Sequence, residues 1–436
     1  MKKPDSTENS ASALIGAMIF VLLIAFFLWS YLWLIQNSNQ TTARAQRWNS
    51  ALAVAESGVE EGLANLNSIV TISTTTNAIF FSPNPLTNNL TIGLQGPYVG
   101  SYFATDAAIG ITNTITSSGY VTAPINGDTI KRTVRVTAQR QALFSKGIIS
   151  LTNIDLNGSG AYPVAVDSYD SRLGPYNQST AGTSGDVAVL TGSVNTGNHW
   201  IDGNMYLGQD VTLTIGPNGG ITGTTNVNWK MQIFDASIPK TDDNGNTLPG
   251  IWPDAPSAKS GNTIVHTFTT SSYYSIRDTG DLVVYPGVEV TLDVKVLNYD
   301  MKKSNVTIYG SETNNSGMIV MYQEAGSVTL GGSGSGGAFN NPPQIASGRP
   351  QNFTYFGLPP VTSVTMAGGS DFIGIIYAPE AAMTLNGGGS AINLSGSFVV
   401  DGLTMNGHYL VHYDTSIAGY YWGYYVPSSW QEIVPP

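Results

Sequence analysis

His408 and His412, four positions apart in Gly407-His408-Tyr409-Leu410-Val411-His412-Tyr413-Asp414, are the side chains best typed for chemistry. On a β-strand, even spacings share a face, so both imidazoles and the Asp414 carboxylate would project together, a donor set that suits zinc or iron. The same alternation of Tyr and His also suits a metal-free cap on a stacked β-structure. Asp167 and Asp170, in Val166-Asp167-Ser168-Tyr169-Asp170-Ser171, offer the paired carboxylates that glycoside hydrolysis places on opposite sides of a bond. A turn in which Asp and Ser bond their own backbone accounts for them with fewer assumptions.

Asp242-Asp243-Asn244-Gly245-Asn246 sets oxygens at alternate positions, as a calcium loop does. Thr247 stands where such a loop has its glycine and Pro253 where it has its bidentate glutamate, which favours a solvated turn. The glycine-rich run 331–337 lacks the lysine and the strand-to-helix context of a phosphate cradle. Tyr420, Tyr421, Trp422, Tyr424, Tyr425 and Trp430 form the densest aromatic cluster, suited to covering an open β edge and, without convergent polar groups, poorly suited to sugar. The chain thus predicts no catalytic residue, no metal and no cofactor.

Composition narrows the class further. Of 436 residues only 11% are charged while 49 are glycine, a balance that favours turn-rich β structure over a helix-rich enzyme. The net charge is −11 and no basic run occurs, which excludes the electrostatic footprint of nucleic-acid binding. Cysteine is absent, which removes disulfides, thiolate metal sites and cysteine nucleophiles.

The elements that must position any of these residues begin with one long helix. Residues 13–35 carry no charge and no proline, and about 20 such residues cross a bilayer core of roughly 30 Å. Trp29, Tyr31 and Trp33 lie where an interfacial aromatic belt would. The helix then becomes amphipathic, with Trp48, Leu52, Ala55, Val59, Leu63 and Leu66 on one face. Small residues at Ala51, Ala55, Gly58 and Gly62 permit close helix approach. Arg44 and Arg47 precede Glu56, Glu60 and Glu61 by roughly 14–25 Å of rise, so a neighbouring helix shifted by that distance would pair opposite charges. A single span with a short head, residues 1–12, is most simply an N-terminus-inside anchor with the large domain outside, either as a stalked signal anchor or as an assembly element.

Segments 98–107, 113–121 and 130–140 alternate as strands and predict a small antiparallel meander, within 68–142, packed on the helix. After Phe144 short β runs each end in Gly or Asn, as in Val306-Thr307-Ile308, Val328-Thr329-Leu330, Met383-Thr384-Leu385 and Leu403-Thr404-Met405. Thr307 to Thr329 spans 22 positions and Thr384 to Thr404 spans 20, which predicts a mainly β chain whose 143–415 region is a β-solenoid, with 416–436 as its aromatic cap. A β-sandwich is the competing architecture.

Ala55-Glu56-Ser57-Gly58-Val59-Glu60, closing the helix of 13–67, resembles the end of the N-terminal helix of PilX-type minor pilins. Val166-Asp167-Ser168-Tyr169-Asp170-Ser171, Gly374-Ile375-Ile376-Tyr377-Ala378-Pro379-Glu380-Ala381 and Val411-His412-Tyr413-Asp414 resemble, in that order, the bactofilin-like, right-handed β-helical domain found behind such N-termini. The chain differs from the usual pilin pattern in lacking a glycine at the entry of the apolar run and a glutamate within it.

The resemblance implies a non-enzymatic subunit of a type IV pilus or type II secretion-like filament. Its helix, through Arg44, Arg47, Trp48, Leu52, Glu56, Gly58, Val59, Glu60, Gly62 and Leu63, would pack with other pilin-like subunits after leaving the inner membrane. Its head would be displayed for assembly or adhesion to a surface or polysaccharide ligand. The alternatives are a membrane-anchored β-helix enzyme acting on polysaccharide and a surface scaffold that never enters a filament.

Overall fold

The computed structural model describes residues 7–68, 88–93, 99–109, 112–122, 129–156, 164–239, 247–302, 304–310, 316–330, 349–367, 371–387, 391–419 and 425–433. The candidate calcium loop 242–246, the glycine run 331–337 and the aromatic residues 420–424 lie outside them. The chain is mainly β with one long N-terminal apolar helix, and it divides into two units.

In the first unit α1 runs from Thr7 to Ser68 without a break. No proline follows Pro4 in this stretch, and the hydroxyls of Thr41, Thr42, Ser50 and Ser57 bond carbonyls four residues back, so polar side chains stay on the helix instead of ending it. Four strands follow in an antiparallel meander: β1 (Asn88–Gly93), β2 (Val99–Ile109), β3 (Thr112–Thr122) and β4 (Thr129–Arg140). β1 precedes the three strands that the alternation predicts. A fifth strand, β5 (Tyr425–Ile433), completes this sheet beside β4. That corrects the expectation for the C-terminus: 425–433 belongs to the sheet of the first unit instead of capping the second. Alternation in β4 buries Val134, Val136 and Ala138 and exposes Arg135 and Gln139, as the sequence predicts.

The second unit, chiefly Arg140–Tyr424, interrupts that sheet in sequence. It consists of short strands stacked in parallel ladders. Along the first, the partners run Tyr274, Leu292, Met321, Tyr355, Ile376, Phe398, and then Ile148, Val187, Met205 and Thr225. A second runs from Tyr299 through Met383 and Leu403 to Ile154, Val194 and Leu213. A third joins Phe372, Leu394, Val411, Val166, Ile201 and Ile221. Away from the two ends of the stack, these residues belong to one buried apolar cluster.

The stacking order is not the chain order, because strands from 392–414 sit on strands from 148–169. An extended strap makes this connection possible. From Thr225 the chain returns along the outside of the first ladder, where Trp229, Met231, Ile233, Ala236 and Ile238 pack over Tyr206, Phe356 and Tyr377. The Tyr377 hydroxyl fixes it by donating to the Phe234 carbonyl while accepting the Phe234 N–H at 3.3 Å.

The two spacings that suggested repeats separate here. Thr384 and Thr404 are register partners, whereas Thr307 pairs with Val283, and Thr329 pairs with Asp300 and Thr365. The 22-residue interval therefore joins different ladders.

Candidate functional site

Among the described residues, nothing covers the apolar half of α1. Large side chains from Leu14 to Ile35 are between 38% and 71% exposed, on every side of the helix. Burying one such side chain is worth about 1.5–3 kcal/mol, so a contiguous surface of this kind demands a lipid or protein environment. By length and composition the helix is a candidate membrane span.

Downstream, the helix lies on the sheet through its small residues. Ala51, Val54, Ala55, Gly58, Val59 and Leu66 are buried, while Leu52, Gly62 and Leu63 are half-buried and Trp48 remains 46% exposed. The packed face is thus turned toward the alanines and glycines relative to the larger residues of the expected stripe. Gly119 of β3 explains the turn: a Cβ there would stand 2.2 Å from the Ala51 carbonyl oxygen and 2.6 Å from the Ala55 nitrogen. Only glycine lets the helix backbone come so close, and Ile115 fills the space against Gly62. Of the expected assembly residues, Arg44, Glu56 and Glu60 are exposed and Arg47 is half-buried.

An ion pair ties this unit together. Arg132 of β4, 9% exposed, donates through Nε and Nη2 to the carboxylate of Glu432 on β5, and its guanidinium lies 4.9 Å from the Trp48 ring centre. Asn67 accepts the Tyr425 N–H at 2.7 Å and donates to the Tyr425 carbonyl at 3.2 Å, so the helix end is bound to the same strand. These residues escape a motif search, but Arg132 shares the parity of Val134, Val136 and Ala138, and an arginine on an inward parity signals a partnered charge.

Hydrogen bonds from Arg132 hold the Glu432 carboxyl below its ordinary value of 4.5. A depressed carboxyl stabilises the fold above its unfolded value, and that contribution is lost as pH falls through the lower folded value. Glu432→Gln is therefore expected to show a shallower loss of first-unit stability below pH 4.5 than the parent, read as melting temperature against pH; parallel curves would contradict this.

In the second unit the strand runs Tyr409–Asp414, so it carries His412 and Asp414, which take different partners, and His408 just precedes it. His412, 1% exposed, places Nδ1 at 2.6 Å from Asp167 Oδ1 and Nε2 at 2.9 Å from Asn393 Oδ1. The Asn393 amide nitrogen donates to Asp371, which leaves its oxygen toward the imidazole. Tyr176 stacks on the ring at 3.4 Å and donates to Asp167 Oδ2 at 2.7 Å. Asp414 accepts the backbone N–H groups of Ser171 and Ser416, each at 3.0 Å.

Asp167 and Asp170 likewise have separate tasks, the latter paired with Arg172, which holds its carboxyl low. The cavity beside His412, between Asp167, Tyr176, Gln178 and Val411, measures about 40 Å³, enough for water but far below the several hundred Å³ of a sugar site. Among the described residues no group of three or more His, Asp or Glu side chains converges as a metal site would require. The cluster works as a polar fastener where the strand Tyr409–Asp414 meets Val164–Tyr169.

Asp414→Ala should strand the Ser171 and Ser416 amides and cost about 2–3 kcal/mol, measured by denaturant unfolding. A loss under 0.5 kcal/mol would contradict that role.

A family model described as a domain of unknown function (DUF7305) matches residues 272–420, the stretch that supplies the ladders from Ser272 to Asp414. No curated protein matches the chain. A matching solved structure is the competence-associated pilin ComZ from Thermus thermophilus, at 12% identity over 89% of this chain and 97% of that chain, with a TM-score of 0.27.

Proposed function

We propose that the chain is a non-enzymatic, minor pilin-like filament subunit. The observation that carries the reading is the helix itself: one continuous α1 whose first half is exposed apolar surface and whose second half is clamped to an antiparallel sheet. In the membrane, lipid covers residues 13–35; in a filament, the same surface packs among the helices of neighbouring subunits. The N-terminus lies on the cytoplasmic side and both β units lie outside. The stacked ladders are the coils of a β-solenoid, a bactofilin-like head displayed for assembly or adhesion, and their shared apolar core and parallel register support this.

Arg44, Glu56 and Glu60 are exposed on the rod, so a neighbour displaced by roughly 18 Å, twelve residues of rise, would set Arg44 against Glu56. Arg44→Glu is expected to reduce recovery of the protein in sheared surface filaments at least fivefold, and adding Glu56→Arg to restore it. Full recovery of the single variant would overturn the register. Absence of the parent protein from filaments would overturn the filament role and leave a surface scaffold.

A further inference from the structure

Among the described residues, one end of the ladder stack is covered and the other is open. At the Tyr274 end, Trp252 packs on Tyr273 at 5.2 Å, Asp254 bridges to Ser275, and Ala258–Ser260 pairs back on Thr263–Phe268. At the other end, Thr212–Thr214, Gly220–Ile221 and Thr225–Asn226 each have a strand on one side only among the described residues. Leu213 and Ile221, which continue the buried columns, are only partly covered, and Ile215 and Val227 are 44% and 68% exposed.

Free edges are usually guarded by charge, by inward lysines or by proline within the strand. Residues 208–227 contain a single charged side chain, Asp210, and the proline of this segment, Pro217, lies outside its strands.

We propose that this open end is an interface for a second copy of the chain, joined end to end about a two-fold axis. The edges decide the kind of partner. None exceeds three residues, so an extended peptide would gain only two or three backbone bonds on any one of them. A partner that satisfies all of them must itself present short edges around an apolar centre, and this chain's own open end does. Lack of charge lets the surface meet itself without repulsion. Within the chain, corner amides join successive strands of the stack, Asn198 accepting the Asn218 N–H at 3.4 Å and Asn204 the Thr224 N–H at 2.9 Å. The inference rests on the ladder architecture, not on helix assembly, so the Arg44 experiment leaves it unaffected.

The chain has no cysteine, which makes the test direct. Full-length protein in detergent micelles would carry one cysteine at a time, Thr214→Cys or Asn226→Cys at the open end, with Leu173→Cys and Lys259→Cys as exposed controls. Under mild oxidation the open-end variants are expected to form disulfide dimers at least tenfold faster than the controls, and Thr225→Lys added to Asn226→Cys to suppress the dimer. Equal rates at all positions, or faster coupling of an open-end cysteine to Lys259→Cys than to itself, would overturn the proposal.

Discussion

Gly119→Val is expected to separate helix from sheet in the first unit, at a cost of about 2–4 kcal/mol. The nearest neighbours of a new Cβ are the Ala51 oxygen and Ala55 nitrogen and Cα, all backbone, so no side chain can turn aside. The helix must lift, and lifting it uncovers Val54, Val121 and Ile130, which pack together there. Hydrogen exchange in β3 and protease cleavage near Ala51 should both rise. Gly16→Val is the matched control: nothing lies within 4 Å of its Cβ position, and its effect on the first unit should stay below about 0.5 kcal/mol. Equal stability of the two variants would show that the close approach does not bear the packing.

The helix and the meander were legible because their signals are local. A charge-free run, the absence of proline, and the alternation through β4 depend on neighbours a few residues away. The exact face of α1 was not legible, since it is decided by a glycine on another element: without Gly119, Trp48, Leu52 and Leu63 would be the natural packing stripe. The ladders were readable as a class, from glycine-ended β runs, and one true register pair, Thr384 with Thr404, came directly from spacing. The interval between Thr307 and Thr329 misled because similar short strands occupy every ladder, so likeness of sequence does not specify which ladder.

The stacking order had no sequence signal at all. Placing Phe398 on Ile148 requires the strap at 227–239 to return along the stack, and its alternating Trp229, Met231 and Ile233 look like any other strand until Tyr377 is seen to hold it. The partners of His412 were not legible for the same reason. His412 is near Asp414 in sequence, but its partners, Asp167 and Asn393, come from two other strands.

That cluster marks the seam where late strands meet early ones, and His412→Ala is expected to open it. The substitution leaves the Asp167 carboxylate, 8% exposed, with Tyr176 as its remaining side-chain donor among the described residues and removes the imidazole from the Asn393 oxygen, a loss of about 3–5 kcal/mol for a broken buried pair. Because Val411 on Val166 and Phe398 on Ile148 are the contacts behind it, the failure should be directional: limited proteolysis should release the 148–226 strands while 272–405 stays protected. His266→Ala supplies the comparison. Its imidazole is as buried, but its carboxylate partner Asp278 is 40% exposed and can turn to water, so its loss should be smaller by at least about 1 kcal/mol. If both variants unfold alike, or the His412 variant melts without releasing the early strands, the seam is not where the second unit gives way.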